Sequence, residues 1–91
     1  MVLEQSQLFR AANERIHRVP RRWPGPVDYV CECEDPECRV MLKLEPREFA
    51  EIAAAPGCYM VAREHYRADW EIIRQRPAYL VVQVPATVGS R

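Results

Sequence analysis

The sequence predicts an α+β fold, in which a small antiparallel or mixed sheet of about four strands packs with two or three helices. Apolar residues recur at helical spacing near the start of the chain. After this helical pattern come short segments, apolar or alternating, that are typical of strands. Prolines and glycines separate these segments. At 91 residues the chain is long enough for one domain, but a single core of this size leaves little surplus stability.

An amphipathic helix is predicted over residues 4–18. Its apolar stripe consists of Leu8, Phe9, Ala12 and Ile16. Residues 19–26 contain three prolines in eight positions, which argues against a regular element there. The single predicted domain, residues 1–91, thus divides into an N-terminal helix (1–18), a Pro/Arg-rich linker (19–26), a core (27–84) and a flexible tail (85–91).

Residues 27–33 and 39–44 are predicted to form the two strands of a hairpin. The second strand carries three apolar residues on one face: Val40, Leu42 and Leu44. A second helix is predicted to begin at Pro46, because proline suits the first helical turn, and to end before Pro56.

The last part of the core is predicted to contain two strands with a short helix between them. Residues 58–62 and 79–84 are apolar runs of strand length. The segment between them, residues 69–76, has Trp70 and Ile73 three positions apart, as on the inner face of a helix. We therefore predict a short helix there, with both side chains turned inward.

Three of the four cysteines, Cys31, Cys33 and Cys38, lie within eight residues. On a strand, residues i and i+2 project to the same face, so the first two thiols would point to one place. The sequence Glu-Asp-Pro-Glu at residues 34–37 suits a turn that would bring the third thiol back to them. Structural zinc is held in a tetrahedron by cysteine and histidine ligands. The cluster therefore predicts three ligands of a zinc site, with a fourth still to be found.

The fourth ligand can be drawn from Cys58 or His65, with His17 as a weaker candidate. Cys58 opens an apolar run, where a thiol often serves as a small core residue. His65 lies in a polar segment that can form a loop, with 26 residues between it and the last clustered cysteine. We therefore favour His65 and leave Cys58 as the alternative. The predicted metal ligands are Cys31, Cys33, Cys38 and His65.

Other uses of the four cysteines are weaker interpretations of the same pattern. The start of the sequence lacks the basic and apolar regions of a signal peptide, so we expect a cytoplasmic protein, in which disulfides do not persist. Redox thiols and an iron-sulfur cluster are further alternatives to zinc. A structural zinc contributes on the order of 10 kcal/mol in zinc-dependent peptides, which suits so small a core. We therefore predict that zinc staples the fold.

Charge is balanced overall but distributed unevenly along the chain. The formal net charge is zero, with five basic against two acidic residues over 1–26, three against eight over 27–56, and five against three over 57–91. The acidic middle segment contains the cysteine cluster. Its negative charge disfavours a zinc finger whose metal site contacts nucleic-acid phosphates. The chain lacks an apolar run long enough to cross a bilayer, so we expect no membrane partner.

The sequence does not predict an enzyme. It lacks four common catalytic motifs: a phosphate loop, a GxSxG elbow, an HExxH helix and the zinc-deaminase signature. A catalytic version of the site would need His65 as a base and Glu32 or Glu34 as an acid, with one open position on the metal. Four protein ligands are more typical of a closed, structural site.

A protein-interaction or regulatory module is the function that we predict. A basic surface with one aromatic residue is carried by Arg10, Arg15, Arg18, Arg21, Arg22 and Trp23. It would suit an acidic protein partner or nucleic acid, although such arginines are also common on a solvated helix face. Zero net charge favours a protein partner or a homo-oligomer, and a nucleic-acid-binding module is the alternative.

The chain resembles a group of small uncharacterised actinobacterial proteins over about residues 8–84. The resemblance lies in the segments NERI (13–16), CEC (31–33) with a third cysteine, EFAE (48–51), YMVA (59–62) before a histidine, and YLVV (79–82). It implies that Cys38 and His65 belong with the CEC cysteines and that Cys58 does not. The chain departs from the pattern in having Arg-Glu instead of Pro-Gly before the histidine. The resemblance implies no activity.

Overall fold

The computed structural model of the protein describes residues 4–84. Two α-helices and five β-strands lie within these residues, and a short 3₁₀ turn follows the third strand. The elements in chain order are α1 (Glu4–Arg18), β1 (Val27–Val30), β2 (Met41–Leu44), α2 (Pro46–Ala54), β3 (Cys58–Ala62), the 3₁₀ turn (Arg63–His65), β4 (Glu71–Gln75) and β5 (Tyr79–Gln83). The predicted α+β class is confirmed. The predicted tail, residues 85–91, lies outside the described residues.

The strands are divided between two small antiparallel sheets. Strands β1 and β2 form a hairpin, and β5 lies between β3 and β4 in a three-stranded sheet. The two sheets meet just after β1, where the Glu32 amide donates a hydrogen bond to the Met60 carbonyl at 2.8 Å. The backbone that follows β1 therefore lies against β3, and the cysteine-rich segment is held between the sheets.

The short helix predicted over residues 69–76 is wrong. The chain there forms β4, which pairs with β5 along its length. The register shifts between Ile72 and Arg74, so Ile73 lies at an irregularity in the strand. Trp70 is buried as predicted, but Ile73 is 48% exposed. Trp70 precedes the strand and Ile73 lies at its irregularity, so their spacing of three positions does not mark a common buried face.

The hairpin strands are shorter than predicted. The ladder of β1 and β2 ends where Val30 faces Met41. The Cys31 amide extends it by one hydrogen bond to the Val40 carbonyl, at 3.0 Å. Leu42 lies in the core as predicted, whereas Val40 precedes the strand and is 39% exposed. The ladder stops here because the chain leaves β1 for the cysteine cluster.

Helix α1 packs against β1 and α2. Phe9 and Ile16 of its predicted stripe lie against the core, but Leu8 is 64% exposed. Below the helix, the rings of Tyr29 and Phe49 stack with centroids 4.6 Å apart. The predicted helix bounds are confirmed, and the apolar stripe is narrower than predicted. Within residues 4–84, neither helix is long and apolar enough to cross a bilayer.

Helix α2 ends in a turn that depends on Gly57. The helix begins at Pro46 and is followed by Pro56 and Gly57, as the sequence predicts. Gly57 has φ +74°, in the left-handed region that side chains disfavour. Its carbonyl accepts a hydrogen bond from the Val84 amide at 2.9 Å, which aligns the start of β3 with the end of β5.

Replacing Gly57 with alanine should lower the free energy of unfolding by roughly 1–2 kcal/mol, because an L-residue is strained at this backbone angle. An added Cβ would lie 3.5 Å from the Val84 carbonyl oxygen, an ordinary contact, so the cost comes from the backbone and not from a clash. Gly57→Asn is the matched control, since asparagine tolerates this conformation better. Urea unfolding followed by tryptophan fluorescence measures both; equal losses would contradict the prediction.

Candidate metal centre

Three cysteines and one histidine converge between the two sheets. The group consists of Cys31, Cys33, Cys38 and His65, and their ligand atoms all lie within 4.8 Å of one another. The His65 Nδ1 atom is 3.4 Å from the Cys31 sulfur and 3.4 Å from the Cys38 sulfur. Ligand atoms of a tetrahedral zinc, with bonds of about 2.3 Å to sulfur and 2.0 Å to nitrogen, are separated by roughly 3.5–3.8 Å. The four side chains are therefore positioned for metal binding.

The cysteine loop is shaped by a turn that begins at Asp35 and has Pro36 and Glu37 at its centre. The Cys38 amide donates to the Asp35 carbonyl at 3.0 Å, and the Glu37 amide donates to the Asp35 carboxylate at 2.9 Å. Proline suits the second position of such a turn, and aspartate at the first position caps it. The turn predicted from residues 34–37 is thus confirmed, and it returns Cys38 to the other thiols.

The end of β3 supplies the other side of the centre. The Ala62 amide donates a hydrogen bond to the Cys31 sulfur at 3.2 Å. The 3₁₀ turn that follows carries His65 back toward the cysteine loop. Helical turning begins at Arg63, so Arg63 and Glu64 lead directly into His65. An amide donor to sulfur favours the thiolate form, which is the form that binds metal.

The electrostatics of the thiols favour a bound cation over free thiolates. Burial raises the pKa of Cys31, the Ala62 amide lowers it, and the neighbouring Cys33 and Cys38 sulfurs raise it further. Burial also raises the pKa of Cys33. A thiol with a raised pKa is a weak nucleophile, which disfavours a redox role. A metal ion would supply the positive charge that deprotonation of these buried thiols requires.

The two other candidate ligands lie outside this group among the described residues. Cys58 is a core residue at the start of β3, 7% exposed. His17 packs on the Phe49 ring at 5.1 Å between centroids, and its Nδ1 atom is 3.1 Å from the Tyr29 hydroxyl. Cys58 thus has the core position that the sequence suggested for it, and His17 belongs to an aromatic cluster.

Glu32, between two of the clustered cysteines, is fully buried and points away from the thiols into a different set of contacts. Arg10 donates to both of its carboxylate oxygens, from Nε at 2.7 Å and from Nη2 at 2.8 Å. The Asn13 side-chain amide donates at 2.9 Å and the Met60 backbone amide at 3.1 Å. Glu32, one of the two acids that a catalytic version of the site would use, thus has both carboxylate oxygens occupied by these four donors.

Arg10 and Asn13 connect helix α1 to the cysteine segment. The Arg10 guanidinium also donates to the Cys58 carbonyl at 2.6 Å and lies 4.9 Å from the centroid of the Tyr59 ring. Asn13 pairs with the backbone of Val30: its side-chain amide donates to the carbonyl at 2.9 Å, and its oxygen accepts from the amide at 2.7 Å. The sequence suggested that Arg10 belongs to a basic surface. In the structure it belongs to the interior instead.

A pocket of about 380 Å³ adjoins the centre on the solvent side. Cys33 and His65 form part of its wall, together with the Trp70 ring. Arg67 stands at this pocket and is paired with Glu34 at 2.7 Å between Nη1 and Oε1. Glu34, the other acid considered for catalysis, is thus half-buried in an ion pair beside the centre.

No family model, curated protein or solved structure matches the chain. The resemblance to small actinobacterial proteins stays a prediction. The interpretation of the site therefore depends on the geometry and chemistry of its own residues.

Replacing Arg10 with methionine should destabilise the protein by roughly 3–5 kcal/mol, since it leaves a buried carboxylate without its charged partner. The double variant Arg10→Met/Glu32→Met should recover much of this loss, because it removes both charges together. Lys43→Met is the matched control: Lys43 also pairs with an acid, Asp28, at 2.8 Å, but both side chains are exposed. Chemical denaturation measures all three variants. An Arg10→Met loss no larger than that of the control would contradict the prediction.

Proposed function

We propose that the protein is a small zinc-binding domain whose metal is structural and whose work is contact with another protein. The observation that carries the metal assignment is the convergence of three thiols and one imidazole within 4.8 Å. Thiolates and imidazoles are ligands that suit zinc, whereas calcium, magnesium and manganese prefer oxygen ligands. Zinc also takes four ligands in a tetrahedron, which is the number this group offers.

A structural role follows from the number and the position of the ligands. Four protein ligands complete the tetrahedron, so a catalytic water would have no position on the metal. The two acids that could assist catalysis, Glu32 and Glu34, are engaged with Arg10 and Arg67. We therefore propose that the protein is not an enzyme.

The metal would add a covalent-strength link between parts of the chain that hydrogen bonds already join, among them the bond from the Glu32 amide to the Met60 carbonyl. It would tie the loop between β1 and β2 to the turn after β3, and thus one sheet to the other. Binding of structural zinc contributes on the order of 10 kcal/mol in small zinc-dependent folds, which is comparable to the total stability of a domain. Thiolate ligands need a reducing compartment, so the cytoplasm is the location that we propose.

A role in protein interaction is supported by the exposed side chains of the linker. Trp23 is 77% exposed, which is unusual for so large an apolar side chain. Exposed tryptophan and arginine are enriched at the energetic centres of protein interfaces. We propose that residues 19–26, which carry both, contact the partner.

The purified protein should contain one zinc per chain, and His65→Ala should lower zinc affinity by more than roughly 100-fold, since loss of an outer partner alone costs 10–100-fold. His65→Cys should retain zinc, because it restores a fourth ligand of an accepted type. Elemental analysis and competition with a chromogenic chelator measure both. Cys58→Ala is the control and should keep its zinc while losing some core stability. If Cys58→Ala empties the site and His65→Ala leaves it full, all four ligands are cysteines.

Complete chelation should loosen the cysteine loop and the turn at His65, because the metal is their common anchor. Amide hydrogen exchange should show lost protection over residues 31–40 and 62–66, and the unfolding midpoint should fall. Helix α1, held by Arg10 and Asn13, should lose protection last. A metal-bound water in the absorption spectrum of a cobalt-substituted protein, or hydrolytic turnover that tracks zinc content, would show instead that the site is catalytic.

A further inference from the structure

An open groove of about 580 Å³ lies where the linker joins α1 to β1 and faces the start of α2. Its walls carry five side chains that can contact a ligand: Arg18, Arg21, Arg22, Trp23 and Arg47. All five are exposed. They come from three parts of the chain, the end of α1, the linker and the first turn of α2, so the fold and not the sequence alone brings them to one place.

The groove is positively charged. Its lining contains four arginines and one acidic residue, Glu45, which gives a formal excess of three positive charges (four minus one). Ion pairs among residues 4–84 use other side chains, including Arg10, Arg67, Arg74 and Arg76. The guanidinium groups of the groove are therefore available to carboxylates, which they bind with two parallel hydrogen bonds.

The backbone of the groove wall is restricted. Pro20, Pro24 and Pro26 fix their own φ angles and limit the residues before them. Gly25, with φ +121°, supplies the angle that the prolines cannot adopt. A restricted loop loses less conformational freedom on binding, so its contacts contribute more to affinity. The linker thus loses less conformational freedom when Arg21, Arg22 and Trp23 contact a ligand.

We infer that this groove binds an acidic, extended segment of a partner protein, with carboxylates on the arginines and an apolar side chain on Trp23. The inference deepens the proposed interaction function by naming its surface and the chemistry of its partner. Nucleic acid fits less well, because proteins that bind it usually have a strongly basic domain, whereas this chain has a pI of about 6.7. The exposed acids of the cysteine loop, Asp35 and Glu37, would also repel a long polyanion.

The test uses the full zinc-loaded chain and a fluorescein-labelled peptide that alternates glutamate and proline, which stays extended in solution. At low ionic strength, anisotropy should show saturable binding that weakens as salt is added. The same peptide with glutamine in place of glutamate should not bind. Unlabelled glutamate peptide should shift the emission of the exposed Trp23 to shorter wavelength.

Substitutions at exposed positions separate the groove from general charge. Arg22→Glu should weaken binding by about tenfold or more, since a hydrogen bond to a charged group is worth about 1.5–3 kcal/mol. Arg15→Glu is the matched control, because Arg15 is also exposed and makes the same charge change outside the groove. Its effect should stay within about twofold, as expected for a solvent-screened charge that does not line the groove. Trp23→Ala should weaken binding without altering circular dichroism or zinc content.

Several results would overturn the inference. Equal losses for Arg22→Glu and Arg15→Glu, or no binding of the glutamate peptide, would exclude the groove as a site for acidic segments. Tighter binding of an oligothymidylate with the same number of negative charges would make the ligand nucleic acid. Self-association in sedimentation that Arg22→Glu abolishes would make the occupant a second copy of the chain. Zinc content, measured on the same samples, shows separately whether the proposed metal function holds.

Discussion

The buried carboxylate of Glu32 constrains the structure more than any other single group. An ionised carboxylate withdrawn from water costs several kcal/mol unless its charge and its hydrogen bonds are satisfied in place. The donors that satisfy it come from two distant elements, Arg10 and Asn13 of α1 and the Met60 amide of β3. Helix α1, the segment after β1, and β3 must therefore keep fixed relative positions. A shift of any one of them would leave a charge unpaired in the interior.

Residues 31–33 also contribute to the candidate metal centre, on the face of the segment opposite to Glu32. Extended backbone sends alternate side chains in opposite directions, so the thiols of Cys31 and Cys33 face His65 while Glu32 faces α1. The two polar sites share one backbone but use different chemistry. The ion pair is complete within the protein, whereas the thiols would need a bound cation to reach their charged form. Charge pairing thus holds the small core together on one side of this segment, and a metal on the ligand group would do the same on the other.

The sites also divide the chain between stability and contact. The side chains of the candidate metal centre and of the Arg10–Glu32 ion pair are buried or half-buried. They connect helices and strands to one another. The arginines of the linker groove are exposed and contribute little to folding, as is usual for solvated charges. Surface residues of this kind can change without loss of the fold, so substitutions there would leave the candidate metal ligands in place.

The sequence by itself determined what depends on neighbours along the chain. The bounds of α1, the beginning of α2 and the bounds of β3 follow from apolar periodicity and from proline and glycine, and the turn at Asp35 follows from its residue types. Only the tertiary structure decided that His65 and not Cys58 lies with the three thiols, that Glu32 pairs with Arg10, and that β4 is a strand shaped by the register shift at Ile73. Each of these depends on contacts between residues far apart in sequence. The free energy that stabilises these contacts comes from burial and from pairing of charges and ligands. A local pattern of residue types therefore does not predict them.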